Sequence, residues 1–313
     1  MSNEFCDAVS RMTTLQQKLA AGRFVITAEI TPPVSFDRAD LIAKAAPLKG
    51  LADAVNVTDG AGARPHMGAL PAAAILVQEG IEPILQLTCR DRNRIALQSE
   101  LMGAAASGVD NLLILRGDDP SAGDQPDAKA VFDLDARQLL ETARRLRDGH
   151  ELPSGRKVAG TARFLLGAAD SPIDPPAGWE PKGLAAKVAA GAQFAQTQFC
   201  MDAGIVQRYM ARLAEHGLAD KLKVIIGIAP LRSAKSARWM KDKLYGTIIP
   251  DSIVERLDKA ADPAAEGRAI AVDLIGDLAA LPGVAGVHIM APNNDEAVPD
   301  VIRAARAGIK RLA

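Results

Sequence analysis

Short apolar runs rich in β-branched residues recur along the chain, each ending in a polar residue, glycine or proline. They cover 24–30 (FVITAEI), 54–58 (AVNVT), 82–88 (EPILQLT), 111–117 (NLLILRG), 162–169 (ARFLLGAA), 194–199 (FAQTQF), 223–229 (KVIIGIA) and 286–291 (GVHIMA). Most are too continuously apolar for a one-sided sheet and too short for helices, so they suit strands covered on both faces. Between them the spacing becomes that of amphipathic helices, as in 92–108 and 133–149. Both of those stretches end at Gly, and Asp133 is the predicted N-cap of the second.

Successive strand starts are separated by 30, 28 and 29 residues, then by 51, 32, 29 and 63. A step of about 30 residues is one strand-plus-helix unit, so the fourth and seventh units carry insertions. Eight such units predict an α/β chain folded as a closed (β/α)8 TIM barrel. The expected organisation is one domain over 1–313, with 1–22 as an N-terminal helical extension. An open doubly wound sheet is the alternative. The proline-rich stretch 171–181 reads as a loop over the barrel mouth.

Composition narrows the function classes. Of 313 residues, 48% are hydrophobic and 24% charged, the balance of a globular enzyme. A net charge of −1 and 4% aromatic content exclude a nucleic-acid footprint or an acidic-membrane surface. Cys6, Cys89 and Cys200 are far apart and form no metal-ligand spacing, so neither a disulfide framework nor a metal is expected. The polar, acidic start and the lack of a long apolar run predict a cytoplasmic protein.

In a barrel of this kind the chemistry lies at the C-terminal ends of the strands. Those ends carry Glu29, Thr58-Asp59-Gly60, Gln86 with Thr88, Arg116-Gly117-Asp118-Asp119, Ala168 to Asp170, and Gln198. A carboxylate set among Ile26, Ala28 and Ile30 is costly to bury unless paired or protonated, so Glu29 is either an ion-pair partner of a rim Arg or Lys or a catalytic acid. Asp118 is a second candidate, with a turn or cap role as the alternative. Gln198 is a neutral amide suited to reading a ligand. Lys187 is expected at the rim, and His66, His150, His216 and His288 are expected to be satisfied or exposed. Cys200 is expected to pack and not to react. Asp59-Gly60-Ala61-Gly62 opens like a dinucleotide fingerprint, but Pro65 stands where its last Gly belongs, so that reading is weak.

These segments together resemble the methylenetetrahydrofolate reductase family. The resemblance rests on 26–33 (ITAEITPP), 55–63 (VNVTDGAGA), 86–120 (from QLTCRDRN to LRGDDP), 187–202 (KVAAGAQFAQTQFCMD) and 226–231 (IGIAPL). It implies flavin-dependent reduction of 5,10-methylenetetrahydrofolate to 5-methyltetrahydrofolate by NADH or NADPH, within the one-carbon metabolism that feeds methionine biosynthesis. Glu29 would then be the general acid that opens the folate ring. Asp118 would face the resulting cation and bind the pterin, and Gln198 would read the pterin. Thr58, Gln86, Leu115, Arg116, Gly117, Asp118, Ala168 and Lys187 would lie along FAD, and a homo-oligomer is possible in such a family. Better-known members have T-Y-G where this chain has Thr58-Asp59-Gly60, a His at Gln86, a Tyr-Pro-x-x-His segment where it has 167–172, and a Phe near Ala234. These departures imply weak FAD binding. They leave open a flavin-independent reductase or a folate-binding barrel acting in methyl transfer.

Overall fold

A computed structural model describes residues 13–309. Eight parallel strands, β1 (Val25–Ile30), β2 (Ala54–Val57), β3 (Pro83–Thr88), β4 (Asn111–Leu115), β5 (Leu165–Asp170), β6 (Phe194–Phe199), β7 (Lys223–Ile228) and β8 (Val284–Ile289), close into a barrel. β8 pairs with β1 in parallel, with Thr27 opposite His288. The (β/α)8 expectation therefore holds, and each predicted strand lies within a few residues of its observed position.

Alternation along each strand sorts the side chains into two layers. Ile26, Ala28, Ile30, Val55, Val57, Leu85, Leu87, Leu166 and Ala168 face the helices in the main core. Val25, Ala54, Ile84, Leu113, Leu165, Phe194 and Ile225 fill the lower barrel interior in a second core. Gly167 belongs to this interior face, and a Cβ there would lie 2.2 Å from the Phe194 ring. The absent side chain on β5 is thus the space that Phe194 occupies.

The first helix, α1 (Thr14–Ala20), closes the lower end of the barrel with Leu15 and Leu19, both in the interior core. Glu82 accepts from the backbone N–H groups of Thr14 and Leu15 at 2.9 and 3.0 Å, satisfying donors at the helix start. Buried Asp53 accepts from Ile26 N–H at 2.7 Å and pairs with Lys18 and with Arg306, the latter at 3.0 Å. The remainder of the expected N-terminal extension, 1–12, lies outside the described residues.

The insertion in the fourth unit contains a long loop before the helix Ala136–Gly149. Its N-cap is Asp135, in a reciprocal capping box with Gln138, and not the predicted Asp133. Asp133 instead binds the backbone N–H and guanidinium of Arg94, at the start of the neighbouring helix Arg94–Ala106. The sequence cue was a carboxylate two residues too early, drawn away by an arginine from another unit. That helix also ends differently from expectation: Gly149 is its last residue, and His150 takes the left-handed conformation at φ 50°. The seventh unit, lengthened by its insertion, holds three helices, Ala234–Lys243, Asp251–Lys259 and Pro263–Ala280. The loop between the first two returns to β6, where Ile248 pairs with Cys200.

Candidate active site

The upper interior of the barrel is polar. Directly above the apolar floor, Thr27, Asn56, Gln196 and His288 are all buried. Burying such groups unpaired would cost about 1–3 kcal/mol each, but here they satisfy one another. Asn56 Nδ2 donates to Gln196 Oε1 at 2.6 Å, and Gln196 Nε2 donates to Asn56 Oδ1 and to Thr27 Oγ1, each at 3.1 Å. Thr27 Oγ1 in turn lies 3.0 Å from His288 Nδ1 and donates to Val287 O at 3.3 Å.

Glu29 stands at the top of this ladder, 23% exposed. Gln86 Nε2 donates to its Oε2 at 2.7 Å, and His288 Nε2 lies 3.6 Å from the same oxygen. Among the described residues no Arg or Lys pairs with Glu29, so the rim ion pair that the sequence left open is not what holds it.

The loops after β2, β3 and β4 are locked together beside this acid. Asp59 is buried; it receives Arg92 in a two-pronged pair with both contacts at 2.7 Å, and Thr88 through N–H and hydroxyl at 2.8 and 2.9 Å. Burial pushes the Asp59 carboxyl up, but the Arg92 and Thr88 contacts together hold it below the ordinary carboxylate value. The weak dinucleotide reading of this segment is thereby replaced by a structural one. Gly60, at φ +65°, leaves the room that an Arg90 guanidinium nitrogen occupies, and its N–H donates to His66 Nε2 at 2.9 Å.

Gly117 turns the chain after β4 at φ +92°, and a Cβ would fall 2.9 Å from Arg90 Cβ and 3.1 Å from Thr88 Cβ. That turn presents exposed Asp118, whose carboxylate accepts the Gly62 N–H at 2.9 Å. Arg116 is exposed and its guanidinium rests 4.5 Å from the Phe132 ring centre.

The remaining predicted residues take distinct places. Thr58 and Gln86 are buried at the mouth, and Leu115 is half-buried on the interior face of β4. Ala168 is buried in the strand–helix layer, so its methyl points away from the barrel interior. Lys187 is half-buried and donates to Ala169 O at 2.6 Å. Gln198 is half-buried; its Nε2 donates to Tyr245 O at 3.2 Å and its Oε1 accepts the Phe199 N–H at 3.0 Å. Asp170, next to Lys187, accepts the Tyr209 hydroxyl, and its burial lifts the carboxyl above the ordinary value. The Pro-rich segment follows β5, with Trp179 6.0 Å from Tyr209 between ring centres. Cys89 and Cys200 are buried, and burial pushes their thiols up to about 12 and about 11, as befits packing residues. No cluster of metal ligands occurs among the described residues, and no helix among them is long and apolar enough to cross a membrane.

Sequence reasoning passed over Gln196 and Asn56 and expected of His288 only that it be satisfied or exposed; it is buried and satisfied by Thr27. The signal was present in strand parity. His288 pairs in register with Thr27, two residues before Glu29 on the same face, and Gln196 is two residues before Gln198.

The fold and site define a (β/α)8 barrel in which a carboxyl group, a glutamine and a histidine meet towards the C-terminal mouth. The family model for methylenetetrahydrofolate reductase matches residues 14–306, and the chain belongs to that family. It is 24% identical over 258 residues to a probable methylenetetrahydrofolate reductase (NADPH) of Caenorhabditis elegans, covering 76% of this chain and 36% of that one. It is 26% identical over 204 residues to methylenetetrahydrofolate reductase 2 of Schizosaccharomyces pombe, covering 63% of this chain and 31% of the other. The chain thus spans about a third of the length of these two relatives. Among solved structures, the EDTA monooxygenase EmoA of Chelativorans sp. BNC1 shares the fold, with a TM-score of 0.52 at 13% identity, covering 90% of this chain and 92% of that one.

Proposed function

We propose that the protein reduces 5,10-methylenetetrahydrofolate to 5-methyltetrahydrofolate, with NADH or NADPH as the source of the hydride and Glu29 as the general acid. The observation that carries this reading is the setting of Glu29: a carboxyl at the mouth of the barrel, approached by Gln86 and His288 and by no Arg or Lys among the described residues. The one-carbon bridge of the substrate sits in a five-membered ring that must open before it can accept a hydride. Opening requires a proton on the departing nitrogen, and Glu29 is placed to give it. The open form is a cation, which the exposed carboxylate of Asp118 would face, with Gln198 reading the pterin amide edge.

FAD is the cofactor such a family implies, and the residues present fit it. Arg116 is exposed, without an ion-pair partner among the described residues, and Lys187 supplies a second cation; together they suit a pyrophosphate. Thr58, Gln86, Leu115, Gly117 and Asp118 border the mouth where the ring system would lie. When bound, the flavin would carry the hydride from the nicotinamide to the folate. A second reading, hydride passing directly from nicotinamide to folate, is favoured by one observation. Lys187 already donates to Ala169 O at 2.6 Å, which commits part of the cation that a pyrophosphate would need.

Anaerobic assay of the purified protein with reduced nicotinamide and methylenetetrahydrofolate, with and without added FAD, tests the proposal. Expected are methyl product, a saturable stimulation by FAD, and bleaching of the yellow protein by reduced nicotinamide. Full activity without flavin selects the direct route. No folate reduction under either condition overturns the assignment.

A further inference from the structure

The buried amides Asn56 and Gln196 form a reciprocal pair that leaves one N–H on each, and that of Gln196 is aimed at Thr27. Four groups therefore surround Thr27 Oγ1: its own Cβ, Gln196 Nε2, His288 Nδ1 and Val287 O. Gln196 Nε2 can only donate and Val287 O can only accept. If the Thr27 proton turned to His288 Nδ1, the hydroxyl oxygen would face the Val287 carbonyl at 3.3 Å with a lone pair against a lone pair. If it points to Val287 O, every partner is satisfied provided His288 Nδ1 carries the hydrogen. We infer that the Asn56–Gln196 pair orients the hydroxyl of Thr27 and thereby fixes His288 as the Nδ1–H tautomer, with a bare Nε2 turned to Glu29.

This inference deepens the proposed function, since it rests on Glu29 being the acid. A bare Nε2 can only accept, so its approach to Glu29 Oε2 at 3.6 Å, slightly beyond hydrogen-bond length, closes favourably when the carboxyl carries its proton. A single proton is then held between Oε2 and Nε2, with Gln86 Nε2–H on the same oxygen to receive the charge once that proton passes to the substrate nitrogen. The opposite tautomer would present an N–H to Glu29 and hold it as a carboxylate that has nothing to give. Gln196 and Asn56 are thus positioning residues: they act on the acid through Thr27 and His288, from the middle of the barrel and out of reach of substrate.

The tautomer is directly readable from imidazole nitrogen shifts in protein carrying 15N-labelled histidine, with His288 assigned by loss of its signal in His288→Gln. The wild type is expected to show His288 protonated at Nδ1 and bare at Nε2. Gln196→Met, close in length but without the donor, and Thr27→Val, which removes the hydroxyl without changing the shape, should both move His288 towards the Nε2–H form. Thr27→Ser should keep the wild-type tautomer. In turnover, Gln196→Met should lower kcat for folate reduction about 10- to 100-fold with KM nearly unchanged, since the loss falls on proton supply and not on binding. An Nε2–H tautomer in the wild type, or an unchanged tautomer in both Gln196→Met and Thr27→Val, overturns the inference. Because the nitrogen shifts are read without turnover, they decide it even if the chain proves to reduce no folate.

Discussion

Gln86 reaches across from β3 to Glu29 on β1, its Nε2 donating to Oε2 at 2.7 Å. The amide is itself buried, so this is a contact made inside the barrel mouth and not at a solvated rim. Under the proposed function it would stabilise the negative form that remains once Glu29 has given up its proton. Replacing Gln86 by Leu removes a hydrogen bond to a charged group, worth about 1.5–3 kcal/mol. The expected result is a loss of about 10- to 100-fold in kcat for folate reduction, measured at saturating substrate. A rate equal to wild type would mean that the Gln86 contact has no part in the acid's turnover.

Gly117 is required by geometry twice over, by its φ of +92° and by the approach of Arg90 and Thr88. Gly117→Ala should destabilise the protein by about 1–3 kcal/mol, read as a lowered urea midpoint. It should also displace Asp118 from the Gly62 N–H and depress activity more than the stability loss alone explains. A variant with unchanged midpoint and activity would show that the turn relaxes freely.

Asp59 and Arg92 form a buried pair whose rupture leaves a stranded charge. Arg92→Met should cost about 3–5 kcal/mol at pH 7, and the double variant with Asp59→Asn should recover much of it. Because the folded Asp59 carboxyl is held below its ordinary value, its contribution to stability is present above about pH 4 and fades as the pH falls through the folded value. The gap between wild type and Arg92→Met in chemical denaturation should therefore narrow on acidification. A gap that widens below pH 4 would contradict the sign of this linkage.

Leu15 is fully buried against the barrel floor. Leu15→Ala should cost about 2–5 kcal/mol by cavity formation, although the helix that carries it lies before the first strand. A cost under about 1 kcal/mol, well below that range, would mean that the floor seals without it.

The fold was legible because burial on both faces leaves a continuous apolar run, and eight of these at a near-constant interval admit few closures. Helix ends were less legible. Asp133 and Asp135 are chemically equivalent as caps, and only the position of Arg94, from a different unit, decides between them. In the site, Glu29, Asp118 and Gln198 stood out as polar residues at strand ends. His288 and Asn56 did not, because each is flanked by apolar residues in sequence, nor did Gln196, in the run FAQTQF, and their polarity is explained only by partners on other strands. Gln86 was read as a flavin contact, whereas its amide also serves Glu29. Ala168 was read the same way, yet alternation turns its methyl outward to the helices.

The central claim is that Glu29 supplies the proton that opens the folate ring, and Glu29→Gln isolates it. The substitution preserves shape and removes the transferable proton, a contribution of about 10²–10⁴-fold for a positioned acid. Stopped-flow measurement of the FAD-reconstituted protein follows the two half-reactions separately. Reduction by nicotinamide should stay within about tenfold of wild type, because that step needs no acid, while reoxidation by methylenetetrahydrofolate should fall by the full amount. Reoxidation of Glu29→Gln at the wild-type rate would make Glu29 a structural carboxyl and contradict the account.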